Sequence, residues 1–351
     1  MKTTIPSIPS APGQTKNRFM SLISGSLLLV GLMTACQDHL TPSAAPSTIP
    51  LAAGLKGPIG VDIDPAGRVW VTEAGTGNND GRVSIISNGT VIPAITGFNS
   101  SIFQGDVSGI NHLLFADEAL YILGPDPKLY KVNVASFKAG DAPLLAKDIP
   151  FEDIGSFVKA QTVAGVVTDN PLKESHIYQA TVGPNGDLFF ADAAANVIVR
   201  RAKGTGALSI LANIPGIANS TPVGPPFIQG VPTGLVFNGP NLLVSTLIGF
   251  PFPAGKSIIY QVTPAGVVSV YQAGFNSLTG IDLNNGPIVL EYGLFGPQGF
   301  MANTGRLLRA NNPGVTVLAT GLDRPTALKK ITANSYFVVS EGSGTLLKVT
   351  F

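Results

Sequence analysis

A glycine followed by a short apolar run recurs along this chain at nearly even intervals, and that periodicity constrains the fold more than any other feature. The first unit reads Gly60-Val61-Asp62-Ile63-Asp64, a Pro65-Ala66-Gly67 turn, then Val69-Trp70-Val71-Thr72-Glu73. A glycine-rich loop and Arg82-Val83-Ser84-Ile85-Ile86 complete it. Units restart at Gly109, Gly234 and Gly280 and near Thr326. Gly60 to Gly109 is 49 residues, Gly234 to Gly280 is 46, and Gly280 to Ala327 is 47. The 125 residues from Gly109 to Gly234 leave room for one more unit, around Leu188-Phe189-Phe190-Ala191-Asp192, with insertions. The apolar runs have strand length and are joined by hairpin turns such as Asn284-Asn285-Gly286. A period of about 40–50 residues built this way marks a β-propeller with four strands per blade. One such sheet cannot bury both faces, so neighbouring sheets must supply the core. The sequence predicts an all-β, six-bladed β-propeller.

The two chain ends predict how the ring closes. The last unit runs out at Leu346-Leu347-Lys348-Val349-Thr350-Phe351, after three strands. At the other end, Thr48-Ile49-Pro50-Leu51-Ala52-Ala53-Gly54-Leu55 matches the fourth strand of the fifth unit, Val315-Thr316-Val317-Leu318-Ala319-Thr320-Gly321-Leu322. The amino-terminal strand is therefore expected to complete the last blade and remove an exposed sheet edge. Pro50 is tolerated there because the strand is outermost.

Before that strand, the chain reads as an export signal. Lys2, Lys16 and Arg18 precede an apolar run over residues 19–35, and no acidic residue occurs before Asp38. The run is short for a spanning helix and is interrupted by Ser21, Ser24, Gly25, Ser26 and Gly31. It ends Leu32-Met33-Thr34-Ala35-Cys36, which looks like a bacterial lipobox, with Cys36 as the lipidated residue of the mature chain. An ordinary signal peptide with an incidental cysteine is the alternative. Residues 1–35 are thus assigned as lipoprotein signal peptide, 36–47 as a flexible tether and 48–351 as the propeller. The expected location is the cell envelope, at the outer membrane or its periplasmic face, with the membrane as a partner through the anchor. Cys36 is the only cysteine, so no disulfide forms within the chain. Without residues 1–35, 19 Lys and Arg face 21 acids, a net charge of about −2. That leaves nucleic acid binding no electrostatic basis.

The segments Gly60-Val61-Asp62, Arg68-Val69-Trp70-Val71-Thr72-Glu73-Ala74-Gly75 and Asn78-Asn79-Asp80-Gly81, with Gly105-Asp106-Val107-Ser108-Gly109 and Asp169-Asn170-Pro171, resemble the ScyD/ScyE family. The likeness covers roughly residues 50–351. The resemblance implies a branch of six-bladed propellers akin to NHL-repeat and SMP-30-type proteins; it says little of activity, since propellers host binding and catalysis alike.

Candidate functional residues fall into two groups. Phe250, Phe252, Phe295, Phe300 and Met301 lie in the second-to-third-strand loops of blades 4 and 5, on the face where the long loops gather. They form either a surface for a hydrophobic small molecule or protein partner, or a lid packed on itself. Glu73, Asp192, Glu291 and Glu341 all fall at the end of a second strand, in blades 1, 3, 5 and 6. They point either to a metal such as calcium or zinc, or to acceptors that tie down the following loop. Asp62, Asp64, Asp106, Asn111 and Asp282 are weaker metal candidates. His112 and His176 could face the channel, although a bonded structural role is the commoner one. The glycines, including Gly60, are read as serving backbone geometry. No nucleophile elbow, zinc helix, phosphate loop or thiol motif is present, and no cofactor is expected. The favoured reading is a binding propeller rather than an enzyme, with a metal-assisted hydrolase or lactonase of SMP-30-like type as runner-up.

Overall fold

The computed structural model describes residues 46–103, 105–161 and 173–351. The leader, Cys36, His39 and the Asp169-Asn170-Pro171 segment lie outside the described residues. The rest is a six-bladed β-propeller. From its inner strand outward, blade 1 is Pro58–Ile63, Val69–Glu73, Gly81–Ser87 and Thr90–Phe98, and blade 2 is Leu113–Ala116, Ala119–Leu123, Lys128–Asn133 and Phe151–Asp153. Blades 3 to 5 begin at Ile177–Val182, Pro232–Asn238 and Leu278–Leu283 and end at Leu208–Asn213, Val268–Phe275 and Val315–Leu322.

Blade 6 confirms the predicted closure. Pro325–Thr332, Ser335–Ser340 and Thr345–Thr350 are joined by Ser47–Ala53, antiparallel to the last of them from Ser47 opposite Thr350 to Ala53 opposite Thr345, with a register shift between Pro50 and Ala52. The chain therefore enters the body at the tight-turn face, opposite the long loops.

The core lies between blades. Six clusters of buried apolar side chains fill the six successive interfaces. The one at the seam joins Ala52, Leu55, Val61 and Val71 to Ala327, Val339 and Leu346. Each interface removes apolar area from water, so the ring is stabilised as a whole and not blade by blade.

The repeating glycine has a steric reason. A Cβ on Gly60 would sit 2.8 Å from the His112 Cα, and one on Gly234 would sit 2.7 Å from the Ile281 amide nitrogen. Neither residue has a positive φ. These glycines make room for the next blade's inner strand, which corrects the expectation that Gly60 serves backbone conformation.

Two features depart from the plain repeat. Phe151–Asp153, beyond a long connection after the third strand, supplies blade 2 with its fourth strand. A short helix, Ile154–Ala160, follows it, capped where the Ser156 amide donates to Asp153 Oδ1 at 2.8 Å. The turn face is also not uniformly tight. Between Lys128–Asn133 and Phe151–Asp153 the chain doubles back, and Leu144–Leu145 adds a parallel fifth strand to blade 1. Arg68 clamps this excursion by donating to the carbonyls of Val134 (2.9 Å) and Phe137.

Candidate functional site

The blade crossovers share one backbone device on the loop-rich face. The residue just before the inner strand is left-handed at Gly57, Val231, Ser277 and Arg324. Its carbonyl accepts from the amide just beyond the second strand, as in Ala74 to Gly57, Leu247 to Val231, Tyr292 to Ser277 and Glu341 to Arg324. In blade 3, Ala193 donates likewise to His176. Recurrence around the ring makes the left-handed residue part of the scaffold, even at the β-branched Val231.

That device sorts the four carboxylates. Glu73, Asp192 and Glu291 are the last residues of their strands and are fully buried. Glu73 accepts from the Lys56 amide (2.8 Å), Ser84 Oγ (2.5 Å) and both arms of Arg82 (2.7 and 2.8 Å). Glu291 accepts from the Asn276 amide (2.8 Å) and Arg306 Nε (2.6 Å). Asp192 accepts from the amides of His176 (2.8 Å) and Ala195 (3.0 Å) and from Ser175 Oγ (2.5 Å). All three hold their own blade's crossover.

Glu341 does not belong with them. Ser340 is the residue opposite Pro325, as Glu73 is opposite Pro58, so the apparent fourfold repeat is out of register by one. A one-residue step turns a side chain to the other side. The position one past the second strand is Ala74, Ala193 and Leu247 in blades 1, 3 and 4, but Tyr292 and Glu341 in blades 5 and 6. These two meet, with the Tyr292 hydroxyl donating to Glu341 Oε2 at 2.6 Å. Among the described residues no Lys or Arg nitrogen forms an ion pair with Glu341, and Arg324 is directed instead to Asp323 at 3.4 Å. Burial pushes the Glu341 carboxyl above its ordinary range, against the pull of Tyr292 and Arg324. Burial also raises the Tyr292 hydroxyl, with the Glu341 charge adding to it.

Other polar side chains line the same end of the channel. His176 Nε2 and Asn111 Oδ1 are 3.1 Å apart, and Tyr178 stacks on His176 with centroids 6.4 Å apart. Burial, only partly opposed by Asp192, holds His176 below its usual value. Tyr178 is close enough to Glu341 for that charge to add to the upward push of burial on its hydroxyl. His112, wedged edge-on against Tyr178 at 4.6 Å, is 3% exposed, and its Nε2 has no partner. Burial drops its pKa to about 3, so it is neutral at physiological pH.

The loop aromatics adjoin this group. Phe252 contacts Phe295 (4.8 Å) and Phe300 (5.0 Å), Phe295 contacts Phe300 (5.1 Å), and Phe250 meets Phe252 and Phe295 edge-on at 6.2 and 6.3 Å. The loops of blades 4 and 5 thus pack on each other, as the lid reading describes, yet Phe250 (48%) and Met301 (44%) stay exposed. Phe300 stands edge-to-face on Tyr292 at 4.8 Å, so the shelf runs unbroken from Phe250 to the Glu341 carboxyl. Beside His176 the loop-rich face opens a cleft of about 640 Å³, lined by Phe103, Lys159, Lys173, Glu174 and Gln229 among others.

The weaker metal candidates also have structural partners. Asp64 accepts from Trp70 Nε1 (2.8 Å) and Arg68 Nε (2.5 Å); burial pushes its pKa up, but these bonds outweigh burial and lower it. Asp62 binds Lys329 Nζ (2.5 Å) and accepts from the Phe115 amide (2.8 Å), tying blade 1 to blades 6 and 2. Burial raises Asp282. Asp106 is exposed on the hairpin Ser101–Phe103/Asp106–Ser108. Among the described residues no three His, Cys, Asp or Glu side chains converge as a metal site, and the donor set does not fit a calcium or zinc ion.

Sequence reasoning missed Tyr178 and Tyr292. Tyr178 was legible from strand alternation, two residues from His176. Tyr292 was not, because its position is set by the crossover bond.

No protein-family model matches the chain, and no curated protein is similar to it in sequence. Solved structures do match. One, a Bacteroides thetaiotaomicron protein of unknown function, is 14% identical, with 87% of this chain and 76% of that chain covered and a TM-score of 0.58. A gluconolactonase-like protein is 15% identical, covering 88% of this chain and 92% of that chain at a TM-score of 0.53. The PQQ-bound aldose sugar dehydrogenase of Streptomyces coelicolor is 15% identical, covering 88% and 99% at 0.53. At these identities the likeness shows the fold, and the chain takes its place among six-bladed β-propellers.

Proposed function

We propose that this protein is an extracytoplasmic binding propeller, anchored by lipid at Cys36, that takes a ligand with an apolar body on the loop-rich face at blades 5 and 6. The ScyD/ScyE-like segments are consistent with this branch of propellers. The observation that carries the reading is the continuity of the aromatic shelf with a half-buried carboxyl, Phe250 through Phe300 and Tyr292 to Glu341. Aromatic faces left half in water by a rigid scaffold are available to a ligand at low entropic cost.

A Phe250→Ala, Phe300→Ala double variant tests the reading. Stability within about 2 kcal/mol of the parent, with loss of ligands recovered from cell extract, supports it. Unfolding, or an unchanged ligand profile, supports the lid.

The runner-up is an SMP-30-like hydrolase. It is favoured by the likeness to a gluconolactonase-like structure and by Glu341 opposite His176 and Tyr178 in the channel. Lactone hydrolysis by the purified body, abolished in Glu341→Gln, would establish it in place of binding.

A further inference from the structure

We propose that the ligand is an organic ammonium: a protonated amine carried on an aromatic or similarly flat apolar body. This deepens the binding reading and rests on it.

Charge balance is the first argument. The two fully buried glutamates of the repeat are neutralised, Glu73 by Arg82 and Glu291 by Arg306. Among the described residues the Glu341 side chain has one hydrogen bond, from Tyr292, and no ion pair. A carboxyl withdrawn from water without a cation either takes up a proton or waits for a positive partner. Asp106 and Asp323 act on Glu341 as negative charges, which draw in a proton and a cation alike, and the nearby Arg324 is already paired to Asp323. A bound ammonium would compete with that proton and hold the carboxylate charged. Two lysines, Lys159 and Lys173, do line the cleft, on its blade 3 side next to His176 and with Glu174 among them.

Aromatic placement is the second argument. Tyr292 lies between Glu341 and Phe300, with Tyr178 on the far side of the channel near enough to feel the Glu341 charge. Aromatic rings next to a carboxylate add to its attraction for a desolvated ammonium. The shelf beyond, from Phe300 to Phe250, fits a flat apolar body. Burial lowers both histidines at the channel, so neither favours an anionic ligand beside Glu341.

The departure from the repeat is the third argument. Tyr292 and Glu341 occupy equivalent positions of adjacent blades, where blades 1, 3 and 4 carry Ala74, Ala193 and Leu247. The scaffold works without a polar side chain there, so the pair is surplus to the fold.

Calorimetric titration of the purified body at pH 7.5 tests this with three probes: phenethylammonium, 2-phenylethanol and phenylacetate. The expected order is phenethylammonium first, at least about tenfold tighter than the alcohol, with phenylacetate weakest. Glu341→Gln should abolish the preference for the amine, and Tyr292→Phe should reduce it, both at an unchanged melting temperature. If alcohol and amine bind alike, and Phe250→Ala with Phe300→Ala removes both, the ammonium proposal fails while the shelf survives as a binding surface. Amine binding that persists in Glu341→Gln, or no binding of the amine at 10 mM by the ~1 mM scale of weak ligands, overturns the proposal.

Discussion

His112 should make the protein sensitive to mild acid, by an amount that follows from its burial. The ring is 3% exposed, its Nε2 is unpartnered, and its pKa is depressed from 6.5 to about 3. In the unfolded chain this histidine takes up a proton as pH falls through 6.5, while in the folded chain it stays neutral. The unfolded state therefore binds more protons, and stability falls as pH drops from above 6.5 towards 3. Between pH 7 and pH 5 the loss from this one group is about 2 kcal/mol. Urea unfolding of the parent and of His112→Gln at both values isolates it. The variant starts less stable, but its loss between pH 7 and 5 should be smaller than the parent's by about 2 kcal/mol. His176 shifts in the same direction in both proteins and cancels in the difference. Equal losses in parent and variant would refute the claim that His112 is buried and neutral.

Four further outcomes follow, three from the structure and one from the sequence. Glu291→Ala leaves Arg306 and the Asn276 amide without their acceptor and should cost about 2–3 kcal/mol, at the low end because Arg306 is one-third exposed; denaturant unfolding measures it. Glu341→Gln should instead be neutral or stabilising at pH 7, because a raised carboxyl loses stability as pH climbs through its pKa and the amide has no such penalty; a large destabilisation would return Glu341 to the scaffold. A body starting at residue 54 loses the Ser47–Ala53 strand and exposes the Thr345–Thr350 edge, so its melting temperature should fall by about 5 °C or more, and Cys36→Ser should move the full chain from the membrane fraction to the soluble one.

Much of the fold was legible because it is written in repeats. Glycines spaced by a blade's length, Asn-Gly-type turns and the matching strands at 48–55 and 315–322 all express one constraint, that each sheet must pack between two others. Irregular pieces were illegible for the opposite reason. Phe151–Asp153 is too short to announce a strand and exists only because Lys128–Asn133 offers it an edge. The site was half legible. The loop phenylalanines stood out by their size among glycine and proline, and they do share one cluster. Glu341 was noticed but grouped wrongly, since spacing alone cannot separate Ser340 from Glu341 as the partner of Pro325. Pairing register decides which of two neighbours is tied into the scaffold and which is turned away from it.

The most direct test is a crystal structure of the body with saturating phenethylammonium. The account predicts the amine nitrogen within about 3 Å of a Glu341 carboxylate oxygen and its ring against Phe300 and the shelf. The compound found instead in the turn-face groove of about 430 Å³ between Pro184, Phe237 and Pro240, or on the shelf with its nitrogen turned away from Glu341, would contradict it.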